Sequence, residues 1–432
     1  MQLFGSSGIR GIVGESFTIE LARGIGEAVG SMYQHIVLGR DTRTTGPMMM
    51  HAIICGANSA GASVYDAGMI STPTLARATS GFDCGIMVTA SHNPAQYNGI
   101  KLCNPDGSAF NTEQTKSVEE RIDSPLPAKN WTDVGRVFTF EGAEKAHIEA
   151  ILDDVDNSEA SVVVDCGCGA AFRISPLALR ELGCSVLSLN AQPDGHFPAR
   201  TPEPTEDALN DLKAAVIKRG ADVGIAHDGD GDRMVAIDDR GRFVSGDRLI
   251  ALFASAMNVK GLVAPVDASM ILDEMISKVE RCRVGDIYVA EMLKQSGLEF
   301  GGEPSGTYIF PRQTYCPDGV LAGAMIASIA DEQPLSERLD ALPSFPSSRS
   351  SWPFRAENRI ELSKCIEDEM NQLDCDRLLT MDGFRAEFSD GWILVRLSGT
   401  EPKIRTTVEA RDEEELRRLT NIVDKIIDRC LA

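Results

Sequence analysis

The chain has 432 residues, too many for one hydrophobic core, and at roughly 100–200 residues per domain it predicts two to four domains. Hydrophobic residues make up 43% and charged ones 25%, which excludes a disordered chain. The 42 Lys and Arg against 64 Asp and Glu give a formal net charge of −22, which argues against nucleic acid and anionic membranes as partners but leaves small anions open.

Taken along the chain, short β-rich runs alternate with helical periodicity, the pattern of α/β layers. The start, Met1-Gln2-Leu3-Phe4-Gly5, has neither the basic nor the apolar region of a signal peptide. No run reaches the roughly 18 apolar residues of a membrane helix. A soluble, cytoplasmic protein is expected. A helix is predicted over residues 21–33, with buried strands at 36–38 and 86–88. The proline-bearing stretch 123–127 reads as a loop, and 141–155 as a connecting helix. A second unit opens with a strand at 162–165 and has another at 223–226. Residues 343–351, Pro-Ser-Phe-Pro-Ser-Ser-Arg-Ser-Ser, read as a linker rich in breakers. Beyond it, strands are predicted at 392–396 and 406–409, followed by an amphipathic helix carrying Leu416, Leu419, Ile422, Val423, Ile426 and Ile427 on one face. The domains are therefore set at 1–156, 157–247, 248–342 and 352–432: three α/β units and an appended α+β domain.

The 11 cysteines are odd in number and scattered from Cys55 to Cys430, and a chain this long has no need of disulfide staples. Cys166-Gly167-Cys168 is the one close pair, with no second pair at zinc-ligand spacing, so structural zinc is not expected.

Four segments carry chemistry. Thr89-Ala90-Ser91-His92-Asn93-Pro94 follows a strand, which places Ser91 at the carboxyl edge of a sheet as a nucleophile, a phosphate carrier or a simple turn-capping serine. Lys101, ten residues on, adds a cation able to approach the same place. Asp228-Gly229-Asp230-Gly231-Asp232-Arg233 sets three carboxylates at alternate positions around glycines. They can curl around one hard cation, and Mg²⁺ is favoured over a calcium loop, because the sixth and twelfth positions are Arg233 and Asp239 rather than Gly and Glu. Gly301-Gly302-Glu303-Pro304-Ser305-Gly306 offers acceptors and a hydroxyl suited to sugar hydroxyl groups, or a plain turn. Arg396-Leu397-Ser398-Gly399-Thr400-Glu401-Pro402-Lys403-Ile404-Arg405 brings two arginines, two hydroxyls and a glycine between two strands, which suits a phosphate monoester.

With Phe4-Gly5-Ser6-Ser7-Gly8-Ile9-Arg10-Gly11 at the start, these motifs stand in the order and spacing of the α-D-phosphohexomutase family, and the resemblance spans essentially the whole chain. It implies a heart-shaped enzyme of four domains, three of them similar mixed-sheet α/β units. It implies that Ser91 is a phosphoserine and a metal ligand together with Asp228, Asp230 and Asp232, which hold Mg²⁺. It implies that Arg10, Lys101 and Arg233, with His92, surround the transferring phosphoryl group. Glu303 and Ser305 would contact sugar hydroxyls, and Arg396, Ser398, Gly399, Thr400 and Arg405 the substrate's own phosphate. A hexose 1,6-bisphosphate (glucosamine or glucose) is implied as activator, and a monomer or homodimer as the assembly. Val284-Gly285-Asp286 resembles the phosphoglucosamine mutase branch, which interconverts glucosamine 6-phosphate and glucosamine 1-phosphate, more than the phosphomannomutase/phosphoglucomutase branches that often carry Thr-Gly-His. Where many members have His after the sugar loop, this chain has Thr307, which leaves the general base unassigned.

Overall fold

The computed structural model describes residues 3–5, 8–124, 127–398 and 402–431. The first sheet has six strands in the order Ile9–Ile12, Tyr97–Cys103, Cys84–Val88, His35–Arg40, Ser63–Met69 and Val137–Thr139. Its core strands are parallel, and Tyr97–Cys103 returns antiparallel to Cys84–Val88. The helix Ile19–Met32, capped by Thr18, packs on Gly46–Ser59 over one face. The second sheet has five strands, with the buried Val223–His227 between Ser161–Asp165 and Met234–Asp238. The third has four: Lys278–Cys282, Gly261–Pro265, Gly301–Glu303 and Thr307–Ile309. Val- and Ile-rich runs such as Val162, Val163 and Val164 are fully buried because helices cover both faces of a parallel sheet. One apolar core runs through the second and third units, joined by the buried helix Gly319–Glu332.

The fourth sheet is antiparallel throughout, in the order Ser347–Pro353, Lys403–Ala410, Gly391–Leu397, Phe384–Phe388 and Arg377–Leu379, under the helices Arg359–Met370 and Glu413–Leu431. Two expectations are corrected here. Most of the predicted linker is structured: Ser347–Pro353 pairs with Lys403–Ala410 as an edge strand of the fourth sheet. Serine and arginine suit an exposed edge, and for that reason the segment looks like a linker in sequence. The cysteines are also not all free: Cys365 and Cys430 form a disulfide that ties the two helices of this domain together. Cys166 and Cys168 are both buried and unpaired, as small residues following a strand.

The fourth domain docks on the third. Trp392 and Leu394 pack with Val266 and Met270, and the buried Glu409 accepts hydrogen bonds from Ser269 Oγ at 2.6 Å, Met270 N at 2.7 Å and Trp392 Nε1 at 2.8 Å. Among the described residues no helix is long and apolar enough to cross a membrane.

The disulfide is directly countable. Of the 11 cysteines, nine should react with a thiol reagent in denatured, unreduced protein, and all 11 after reduction. Closing 65 residues of chain is worth up to about 4 kcal/mol by loop entropy, so Cys365→Ser should lower the unfolding temperature of the fourth domain. Eleven thiols before reduction would contradict the bond.

Candidate active site

Ser91 follows the strand Cys84–Val88 and is 1% exposed, with a backbone φ of +50°. A left-handed serine is an uncommon conformation that its surroundings must hold in place. Those surroundings are specific. Ser91 N donates to Thr89 Oγ1 at 2.8 Å, and Thr89 Oγ1 donates to Asp41 Oδ2 at 2.7 Å. Arg43, wholly buried, pairs with Asp41 and donates to the backbone carbonyls of Ser91, Asn93, Pro94 and Tyr97 at 2.7–2.9 Å. The guanidinium thus pins the loop from inside, and its other face lies over the Phe197 ring at 5.2 Å.

The aspartate loop follows Val223–His227 and meets Ser91 head on. Ser91 Oγ donates to Asp228 Oδ2 at 2.8 Å. The two backbones approach so closely that a Cβ on Gly229 would stand 2.4 Å from Ser91 O, which requires glycine there. Asp228, Asp230 and Asp232 are all buried, and they bring carboxylate oxygens within 4.8 Å of one another. Lys101 Nζ donates to Asp230 Oδ2 at 2.7 Å and Asp232 Oδ2 at 2.5 Å, and Thr72 Oγ1 donates to Asp230 Oδ2 as well. Oδ1 of both Asp230 and Asp232 is buried with no hydrogen-bond partner. Buried unpaired carboxylate oxygens are costly. A small set of converging oxygens with open lone pairs fits a hard divalent ion such as Mg²⁺.

Burial, then Asp230 and Asp232, push the Asp228 carboxyl well above the usual range. Burial also opposes ionisation of Asp230, yet the Lys101 ammonium holds it low. Burial opposes the charge on Lys101 too, but the two aspartates raise it overall. His92 Nδ1 lies 3.3 Å from Ser91 Oγ. Burial, Arg233 and Arg10 push the His92 imidazole down to about 3, so it is neutral. Arg233, Arg10 and Lys101 are all near enough to oppose a positive charge on His92, and Arg10 Nη1 donates to Asn93 Oδ1 at 3.0 Å.

Glu303 ends the strand Gly301–Glu303 and is buried. Its Oε1 accepts from Gly285 N at 2.7 Å and its Oε2 from Thr307 Oγ1 at 3.0 Å. Thr307, the residue that follows the turn after this strand, therefore supports Glu303. Burial, Asp286 and Asp267 push the Glu303 carboxyl up to about 7. Ser305 is exposed at the tip of the same turn.

On the fourth sheet Arg396 and Arg405 are register partners on adjacent strands. With Arg349 and Lys403 they line a cavity of about 390 Å³. Ser398 is buried and its carbonyl accepts from Arg359 at 2.9 Å, while Gly399 and Thr400 lie outside the described residues.

Several of these residues escape a reading of the sequence alone. Asp41 and Arg43 show only as charges after a strand, because the Thr89 hydroxyl that Asp41 holds and the carbonyls that Arg43 holds are distant in sequence. Thr72 reads as a helix start and Arg349 as part of a linker. Lys403 lies inside the cradle motif with nothing in the sequence to single it out.

This architecture matches four family models described as Phosphoglucomutase/phosphomannomutase: alpha/beta/alpha domain I over residues 1–128, domain II over 144–241, domain III over 245–345 and the C-terminal domain over 357–426. The chain belongs to the phosphoglucomutase/phosphomannomutase family. It is 47% identical over 434 residues to a protein of Methanocella arvoryzae named "Probable phosphoglucosamine mutase", covering 100% of this chain and 99% of that one. A protein of the same name from Methanococcoides burtonii is 47% identical over 436 residues, with 100% of each covered. Among solved structures, a phosphoglucomutase/phosphomannomutase family protein from Burkholderia thailandensis superposes with a TM-score of 0.89 at 29% identity, covering 99% of this chain and 97% of that one.

Glu303 gives a test by pH. Its folded value near 7 lies above the ordinary 4.5, so folding favours the protonated acid, and stability falls as pH rises from about 4.5 through 7. Glu303→Gln removes that dependence. Relative to wild type it should gain on the order of 3 kcal/mol between pH 4.5 and pH 8, read by denaturant unfolding. An unchanged difference across that range would contradict the buried acid.

Proposed function

We propose that the chain is a phosphoglucosamine mutase that interconverts glucosamine 6-phosphate and glucosamine 1-phosphate through phospho-Ser91 and a hexosamine 1,6-bisphosphate. The observation that carries this reading is Ser91 Oγ, buried 2.8 Å from Asp228 at the mouth of the acidic loop, in a chain that aligns end to end with relatives of that name.

In the relay, the substrate's free hydroxyl attacks the phosphorus on Ser91. The new sugar O–P bond forms as the Ser91 Oγ–P bond breaks, and the hydroxyl's proton ends on Ser91 Oγ. The bisphosphate then turns over in the site and returns its other phosphoryl group to Ser91, regenerating the phosphoenzyme. Asp228, Asp230 and Asp232, with the phosphorylated Ser91, would hold one Mg²⁺, which would supply positive charge against the phosphoryl oxygens. Lys101, Arg10 and Arg233 add fixed cations at the same place, and neutral His92 lies beside Oγ. This suits a reaction governed by positioning and electrostatics.

Arg396 and Arg405, with Arg349 and Lys403, hold whichever phosphate is not reacting, together with Ser398, Gly399 and Thr400. A cradle built on charge tolerates both orientations of the sugar. Glu303 and Ser305 take the sugar hydroxyls. A hexose 1,6-bisphosphate primes enzyme that has lost its phosphate, by donating to Ser91.

Parallel steady-state kinetics on glucosamine, glucose and mannose phosphates test the substrate assignment: the highest kcat/KM is expected with glucosamine phosphate, and a tenfold preference for either neutral sugar would overturn it. Ser91→Ala should retain under about 1% of turnover. Asp230→Asn should lose at least about tenfold, or 1.4 kcal/mol of barrier, and chelation should abolish an activity that Mg²⁺ restores. Near wild-type rates in the serine variant would remove the covalent route.

A further inference from the structure

Asp382 lies in the turn between Arg377–Leu379 and Phe384–Phe388, on the fourth domain's side of the cleft. The turn is drawn tight by Gly383, which has φ +72°, and a Cβ there would stand 2.5 Å from Val395 O and 2.9 Å from the Arg396 Cα. This close approach sets the Asp382 carboxylate beside the Arg396 side chain. One oxygen, Oδ2, then accepts two hydrogen bonds, from Arg396 Nη1 at 2.9 Å and from Val284 N at 3.0 Å. The first partner belongs to the phosphate cradle. The second belongs to the third domain, one residue before Gly285, whose N–H holds Glu303 Oε1 at 2.7 Å. Val284 also packs against the apolar contact of Val266, Met270, Trp392 and Leu394 that joins the two domains.

We propose that Asp382 is the positioning residue that aims Arg396 and joins the phosphate cradle to the sugar loop, so that the two bind substrate as one unit. The proposal rests on the reading that Arg396 contacts phosphate and Glu303 contacts sugar. Asp382 takes the Nη1 edge of the guanidinium and fixes the rotamer, and a guanidinium has further donors with which to bind an anion. A side chain ordered before the ligand arrives loses less freedom on binding. Both partners keep 19% side-chain exposure, so the pair is partly shielded from solvent screening. Because Val284 and Gly285 are consecutive, a shift of Arg396 away from Asp382 frees the segment that also orients Glu303.

The test uses the full-length, Mg²⁺-loaded enzyme, with glucosamine 6-phosphate as substrate. Asp382→Ala should raise KM about tenfold with turnover changed less than about threefold, a split that a general loss of folding does not produce. Arg396→Ala should raise KM at least as much, and Asp382→Ala combined with Arg396→Ala should fall short of the product of the two single effects, because the aspartate acts in part through the arginine. Asp382→Ala combined with Glu303→Gln should depart from additivity by threefold or more. Asp382→Asn keeps a carbonyl acceptor for Val284 and provides the measurement if the alanine variant does not fold; its KM should fall between wild type and Arg396→Ala. If Arg396→Ala leaves KM unchanged, the cradle reading fails and the proposal falls with it. If Arg396→Ala is impaired while the Asp382 variants are normal or additive, the cradle stands and the coupling through Asp382 is refuted.

Discussion

Three carboxylates buried within 4.8 Å of one another beside a serine hydroxyl form the constraint on which the rest of the molecule depends. Left to itself, such a cluster would protonate or swell open, since like charges at this distance in a weakly polar interior repel by several kcal/mol at an effective dielectric of about 20. The fold answers with Lys101 from the first sheet and Arg233 from the loop itself, then stops short of full neutralisation. The two Oδ1 atoms left without partners show where the protein's own groups end. A site that is stable only when a cation completes it is well matched to binding one.

The constraint also governs how the domains meet. Ser91 and Lys101 belong to the first unit, the aspartates to the second, Glu303 to the third and Arg396 to the fourth, so the proposed site draws on all four. Hydrogen bonds across the junctions keep them in register. Thr72 N donates to Asp230 O at 2.9 Å, and Arg233 pairs backbone to backbone with Thr307, which itself supports Glu303. Buried His147 reaches Asp318 at 2.8 Å, at the start of the helix Gly319–Glu332. A displacement in one loop is therefore felt at the next one along.

The features legible in the sequence are the local ones. The aspartate loop shows because its three carboxylates lie within five residues, and the glycines between them let the backbone curl until the carboxylates converge. The buried strands show as unbroken Val and Ile runs, and the last helix shows by its apolar face. The illegible features all join distant positions. Arg43 is one arginine among many until the fold brings four carbonyls to it. Asp382 reads as half of a turn, and its role depends on Val284, 98 residues away. Cys365 and Cys430 are 65 residues apart with no spacing to mark them as partners. The Ser347–Pro353 strand reads as a linker because an exposed edge is free to be polar.

The central claim, that phosphate passes through Ser91 between two positions of one sugar, is tested most directly by following a labelled phosphoryl group. Enzyme labelled on Ser91 is mixed with unlabelled glucosamine 6-phosphate and quenched over time. The mechanism predicts that label leaves Ser91 into hexosamine bisphosphate and then into both monophosphates, with inorganic phosphate a minor product. Release of the label to water alone, or label that stays on the protein while product accumulates, would contradict it.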